Sequence, residues 1–420
     1  MAATDIHRTI ETVFRIEQAR LIAGLARMLR DVGRAEELAQ DALVIALSEW
    51  PRTGVPEKPG AWLMATAKRR AIDDIRHDRM RARKHAEIGP DLAPEPDTGI
   101  ADMEAAMDDD IGDELLSLIF TACHPVLSPE ARAALTLRLI GGLTTDEIAR
   151  AFPSSEATVA QRIVRAKKTL AKAGLAYEVP RGPERQERLA SVLEVIYLIF
   201  NEGYAATAGE ELIRPSLCAE ALRLGRIVAR LMPDEPEVFG LLALMEIQAS
   251  RLAARQGPDG VPIPLTEQNR ARWDRLLIRR GLAALERAEA LGGADGPYAL
   301  QAALAACHAR ARRADETDWR RIAGLYDTLL AVRPSPVVAL NRAVAYSMAL
   351  GPEAGLALLG EVERAEALRS YAPLPAAKGD FLFRTGRLAE ARAQFERAAA
   401  LTRNGPERAF LLGRAAACGP

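Results

Sequence analysis

The feature that most constrains this chain is the spacing of its apolar residues. They recur at intervals of three and four from end to end, and a glycine or proline interrupts them roughly every fifteen to thirty residues. Strict alternation of polar and apolar residues, which a half-buried strand needs, is almost absent. The expected fold class is all-α, and 420 residues are too many for one small domain.

The segment GGLTTDEIARAFPSSEATVAQRIVRAKKTL, 141 to 170, carries the most local grammar. Thr144 followed three residues later by Glu147 is a capping box, in which hydroxyl and carboxylate each take a free amide of the first turn. A helix therefore starts at about Thr145. It ends by Phe152, because Pro153 disfavours helical geometry in the residue before it and has no amide to donate. Ser154 or Ser155 then caps a second helix, Glu156 to about Lys172. Val159, Ile163, Ala166 and Leu170 fall on one face of it; Gln161, Val164, Arg165, Lys168 and Lys172 fall opposite, with Arg162 on the flank. Two short helices joined by a tight turn, the second showing donors and cations outward, match the helix-turn-helix that fits a DNA major groove. A solvated amphipathic helix in an ordinary bundle has the same pattern.

Charge is balanced overall, 56 Lys plus Arg against 57 Asp plus Glu, but unevenly placed. Lys68 to Lys84 holds eight cations and three acids, and Arg138 to Lys172 seven and three. Between them His85 to Ala131 has no Lys or Arg, while Glu87 to Glu114 has eleven acids. Two basic modules are thus separated by an acidic spacer. Residues 85–112, rich in Pro, Gly and Asp, read as a disordered linker. At full extension it reaches about 90 Å, further than the roughly 58 Å of seventeen base pairs, so both modules can sit on one DNA. Its carboxylates either shield the basic modules until a partner displaces them or act as a solubilising tether.

Before the linker, RAEELAQDALVIALSEW, 34 to 50, places Ala39, Ala42, Leu43, Ala46, Leu47 and Trp50 at core spacing. Glu36, Glu37, Gln40, Asp41 and Val44 then form an outward acidic face suited to a basic partner helix. AWLMATAKRRAIDDIRHDRMRARK follows after a Pro- and Gly-rich loop. Trp62, Leu63, Ala65 or Thr66, Ile72 and Ile75 can pack inward while Lys68, Arg69, Arg76, Arg79 and Arg83 project. An aromatic beside a cationic helical face suits unstacked single-stranded bases; a buried tryptophan beside a solvated helix looks alike.

On these residues the first 175 positions resemble a bacterial sigma factor of the extracytoplasmic-function (ECF) class, which has only sigma regions 2 and 4 joined by a linker. The resemblance implies residues 1–84 as region 2, 85–112 as linker and 113–176 as region 4. It implies core RNA polymerase and promoter DNA as partners, with Glu36, Glu37, Gln40 and Asp41 docking on the β′ coiled coil and region 4 on the β flap. Trp62, Leu63, Lys68, Asp73 and Arg76 stand where the family opens and reads the −10 element; Arg69 stands where the family usually has asparagine. Ser155, Glu156, Thr158, Gln161, Arg162, Arg165 and Lys168 match the contacts to the −35 element, although Pro153-Ser154 replaces the usual glycine of the turn.

Residues 180–420 exceed an ordinary member of that class. AKGDFLFRTGRLAEARAQFERAAA fits the tetratricopeptide pattern, with Gly379, Ala391, Phe395 and Ala398 at its small and aromatic positions, and a weaker copy surrounds Ala354. Such repeats imply a helical solenoid whose concave face takes a protein or peptide and regulates activity. Asn201, Glu202 and Tyr204 read as helix-end chemistry, since no nucleophile and base accompany them. The four cysteines show no paired spacing, so no metal, cofactor or disulfide framework is expected, and Cys123-His124 lacks a second ligand pair. No run of eighteen apolar residues occurs. The expectation is a cytoplasmic transcription initiation factor rather than an enzyme. The alternatives are a one-component helix-turn-helix regulator with a sensing C-terminal domain, which leaves the basic Trp62 segment unused, and a tetratricopeptide scaffold.

Overall fold

The computed structural model describes residues 3–86, 111–152, 154–175, 177–206, 208–209, 211–258 and 260–419. Among these residues are eighteen α-helices and one sheet of two two-residue strands. The chain divides into two units, Met1–Val195 and Ile196–Pro420. The linker expected over 85–112 lies outside the described residues, apart from edges that complete one helix and begin the next.

The first unit opens with α1 (Ala3–Leu29), α2 (Val32–Thr53) and α3 (Pro59–Ala86), packed on one another. Helix α2 starts two residues before the expected Arg34, because the Asp31 carboxylate accepts the amides of Gly33 and Arg34 at 2.8 and 3.0 Å. Its buried stripe is Ala35, Leu38, Ala39, Ala42, Ala46 and Trp50; Leu43 and Leu47, expected in the core, are only half-buried. On α3 the fully buried positions are Leu63, Ala67 and Ala71, each one turn apart, while Ile72 and Ile75 sit half-buried at the margin. Alanines take the centre because they let backbones approach closely, and larger side chains fill the edges.

Helices α4 (Ile111–Ala122), α5 (Pro129–Leu139), α6 (Thr145–Ala151) and α7 (Glu156–Ala173) follow. They pack back on the first three: α4 lies against α1, and α7 touches α2. The Tyr177 hydroxyl, 3.2 Å from the carbonyl oxygens of both Ala23 and Glu114, ties α1 to α4. Helix α8 (Gly182–Tyr204) ends the first unit and begins the second.

The second unit continues with α9 (Pro215–Leu231), α10 (Pro236–Ala249), α11 (Arg275–Ala290), α12 (Pro297–Arg310) and α13 (Trp319–Val332). Then come α14 (Pro336–Leu350), α15 (Pro352–Val362), α16 (Pro373–Arg384), α17 (Leu388–Leu401) and α18 (Gly405–Ala416). Proline opens most of them, where its missing amide costs nothing and its fixed φ suits the first turn. Sequential helices pack as neighbours: α14 on α15, α16 on α17, α17 on α18. Ala391, Phe395 and Ala398 are buried, and the Phe395 ring lies where a Cβ on Gly379 would be, 2.9 Å away. The short parallel strands Ala208–Gly209 and Arg403–Asn404 join the two ends of the unit. The Asn404 amide donates to the Ala206 and Glu211 carbonyls at 3.2 and 2.8 Å.

At Gly240 of α10 an added Cβ would lie 2.7 Å from the backbone nitrogen of Ala299 on α12. Backbone cannot move aside as a side chain can. Gly240→Ala is therefore expected to lower stability by about 1–3 kcal/mol through overpacking, despite the gain of up to about 1 kcal/mol in helix propensity; the urea midpoint of the second unit checks it.

Candidate nucleic-acid interface

The turn between α6 and α7 is built by side chains that satisfy helix ends. Thr144 Oγ1 accepts the Glu147 amide at 3.1 Å, and Glu147 Oε2 accepts the Thr144 amide at 2.8 Å. Ser155, not Ser154, caps α7 by accepting the Thr158 amide at 3.2 Å. The Thr145 hydroxyl donates to Glu156 Oε1 at 3.1 Å and ties the two helices together. Val159, Ile163, Ala166 and Leu170 are all buried. The opposite row, Gln161, Val164, Arg165 and Lys168, is exposed, and Arg162 is half-buried. Among the described residues no carboxylate pairs with Arg165 or Lys168, so both cations are available to an external anion. Ser155, Glu156 and Thr158 are exposed as well, but their polar atoms already hold the turn.

On α3, Trp62, Arg69, Asp73 and Arg76 are spaced seven, four and three apart and share a side. Arg69, Asp73 and Arg76 are exposed, Trp62 and Lys68 half-buried. The Trp62 ring meets Trp50 edge-on, centroids 5.3 Å apart, which braces the indole while part of it stays open to solvent. Neighbouring cations are already taken: Arg70 pairs with Asp41 at 3.0 Å, and Arg34 with Asp74 and Glu37. Arg79, Arg83 and Lys84 lie outside the described side chains.

The acidic face expected on α2 is only partly a face. Glu37 is exposed and Gln40 and Asp41 are half-buried, but Glu36 is 3% exposed, against the expectation that it points outward. The reason is tertiary, since α5 and α7 come down on this turn of α2. Arg138 Nε lies 2.6 Å from Glu36 Oε1, Lys167 Nζ pairs with its other oxygen, and Gln40 Nε2 donates to Oε1 at 3.0 Å. Arg138 Nη1 also donates to the Leu143 carbonyl at 3.2 Å, and Gln18 Nε2 to the Arg138 carbonyl at 3.1 Å. Nearby, Arg27 pairs with the buried Glu114 at 3.1 Å. Arg138 and Lys167 escaped residue-level reading because nothing local marks them; they are two cations among seven in a basic stretch.

Cys123 and His124 are used locally. Burial pushes the Cys123 thiol up to about 11, and its sulfur lies 3.3 Å from Thr136 Oγ1. His124 Nδ1 accepts the Val126 amide at 3.0 Å. Glu202 pairs with buried Arg214, and the Tyr204 ring lies 3.8 Å beneath the Arg255 guanidinium.

A carboxylate out of water is tolerated only when fully bonded, and stripping one partner leaves buried charge exposed to the full desolvation cost. Arg138→Ala is therefore expected to destabilise the first unit by about 2–4 kcal/mol. With Glu36→Gln it should show a coupling of about 1 kcal/mol or more. Urea unfolding of the two single variants and the double variant measures both.

Comparison with known proteins gives three matched family models. Residues 13–81 match the model described as Sigma-70 region 2, residues 117–170 the one described as Sigma-70, region 4, and residues 188–289 a family of unknown function (DUF6596). An uncharacterized protein of Rhizobium meliloti (strain 1021) is 42% identical over 391 residues, 93% of this chain and 91% of the relative. An ECF RNA polymerase sigma factor SigK of Mycobacterium ulcerans (strain Agy99) is 30% identical over 146 residues, 33% of this chain and 71% of the relative. The SigK of Mycobacterium sp. (strain KMS) is 27% identical over 150 residues, 35% of this chain and 72% of the relative.

Proposed function

The chain belongs to the ECF-like sigma-70 factors and carries a C-terminal extension, and from that premise we propose how its residues divide the work of promoter-specific initiation. Sigma factors bring core RNA polymerase to promoter DNA. In this division α7 enters the major groove of the −35 element. Gln161, Arg162, Arg165 and Lys168 supply groove and phosphate contacts, and Ser155, Glu156 and Thr158 lie at the N-terminal end of the same helix. Helix α3 takes the melted −10 strand, with Trp62 as stacking surface, Lys68, Arg69 and Arg76 along the backbone, and Asp73 among the base contacts. Glu37, Gln40 and Asp41 dock on the β′ coiled coil, and region 4 on the β flap. The C-terminal unit regulates the factor by binding a protein or peptide. The work is differential binding, with no covalent step.

One observation carries this reading: an exposed row of donors and cations on α7, without carboxylate partners among the described residues, backed by a fully buried apolar row on the same helix. Replacing both Arg165 and Lys168 with alanine is expected to weaken promoter binding about tenfold or more and to reduce the slope of log K against log salt by about two. Promoter binding by the polymerase-bound full-length protein at several salt concentrations reads both, and an unchanged slope removes the assignment. A factor that binds promoter duplex alone and directs no initiation with core polymerase would be the one-component regulator instead.

The Glu36 cluster adds a step. If Glu36 is a polymerase contact, region 4 must first release it, because Arg138 and Lys167 occupy its carboxylate in the free chain. Lys167→Met, outside the proposed DNA contacts, is then expected to tighten binding to core polymerase severalfold. Unchanged affinity in a direct binding titration assigns core docking to Glu37, Gln40 and Asp41 without Glu36.

A further inference from the structure

The second unit contains a cavity of about 400 Å³, within the size range of small-molecule sites. Leu244, Ile247, Leu304, Ile322 and Leu329 make one part of its wall apolar, with Trp319 and Tyr326 beside them. Gln248, Arg251, Gln301, His308 and Asn341 make the rest polar. Among the described residues no aspartate or glutamate lines it, and Arg251 is the one formally charged lining residue.

Positive charge accumulates around this wall without compensation. Arg251 lies over the rings of Tyr204 and Trp273, Arg255 over Tyr204 and Arg270 over Trp273. Among the described residues none of the three has a carboxylate partner. Burial, and the neighbouring Arg251, push Arg255 and Arg270 below the ordinary guanidinium range. Burial, then Arg251 and Arg270, drive His308 down to about 3, so its imidazole is neutral at physiological pH. Cations drawn partly or wholly out of water beside one another are costly unless an anion joins them.

Position separates the three. Arg255 donates through Nη1 to the Tyr204 carbonyl, and Arg270 to the His308 and Ala311 carbonyls and to Thr317 Oγ1, and neither lines the cavity. Arg251 Nη2 meets only neutral oxygens, those of Tyr204 and Gln248, and Nη1 has no partner among the described residues. The guanidinium that lines the cavity thus keeps Nε and Nη1 without a partner among the described residues.

We infer that this cavity binds a small organic carboxylate, held by Arg251 with neutral His308 beside it, its aromatic or aliphatic body lying against Trp319, Tyr326 and Ile322. One facing guanidinium suits a monoanion; a phosphate dianion would call for a second, and neither of the other two arginines lines the cavity. Part of the wall, Tyr197, Gln248, Arg251 and Leu265, falls within the stretch matched by the family of unknown function, so the site assigns that stretch a chemistry. The inference stands on the second unit alone and does not rest on the sigma-factor division of labour.

The test uses the full-length protein with indole-3-acetate and octanoate as probes and indole-3-acetamide as the uncharged control, at matched ionic strength. Indole-3-acetate or octanoate, at tenfold excess over its Kd, is expected to raise the Tm of the C-terminal transition by about 3–5 °C, and the amide to leave it unchanged. Arg251→Gln should weaken carboxylate binding at least tenfold by calorimetry. Because Arg251 also contacts Tyr204 and Trp273, Asn341→Trp provides a second variant: it fills the cavity from an exposed position and should abolish the shift. No response to either carboxylate, an equal response to the amide, or full binding by Asn341→Trp overturns the inference.

Discussion

The first unit depends on one buried carboxylate. Glu36 sits on α2 and is satisfied by Arg138 from α5, Lys167 from α7 and Gln40 from its own helix. A lone carboxylate at that depth would cost several kcal/mol, so the helices that supply its partners must stay in place while it is buried. Between α1 and α4 the Arg27 pair with Glu114 and the Tyr177 hydroxyl likewise join helices through buried polar atoms. Ion pairs of this kind are weak sources of net stability but strong determinants of arrangement, since few other packings satisfy the same atoms.

That arrangement bears on function because its members are shared. The helix proposed to dock on core polymerase also carries the clasped glutamate, and α7, which carries the exposed cations, also carries Lys167. Two faces of one helix thus do different work. Val159, Ile163, Ala166 and Leu170 hold α7 down, Lys167 at the margin pairs with α2, and Arg165 and Lys168 face solvent. The angular separation of these roles is what 100° per residue allows on five turns of helix.

The second unit solves a different problem, closing a long run of helices on itself. Neighbouring pairs pack through small residues, as at Gly240 and Gly379, and Asn404 joins the unit's two ends. Three arginines stacked on aromatic rings, one buried and two half-buried, sit beside a polar cavity wall. Helix carbonyls answer two of the guanidiniums, and aromatic faces help shield all three.

Much of the local structure was legible in the amino-acid order. The all-α class, the capping box at Thr144 and Glu147, a serine cap at 154 or 155 and the four buried residues of α7 follow from periodicity and end chemistry, which act over a few residues and leave a local trace. The stripe of α3 was legible only in part, because alanines carry little hydrophobic signal and Ala67 and Ala71 look like spacers until two helices close on them. Tertiary structure alone decided that Glu36 turns inward, that Arg138 and Lys167 meet it, and that Arg251, Arg255 and Arg270 gather around Tyr204 and Trp273. Those pairings join residues far apart in the chain, and a charge in sequence does not reveal whether water or another helix will answer it.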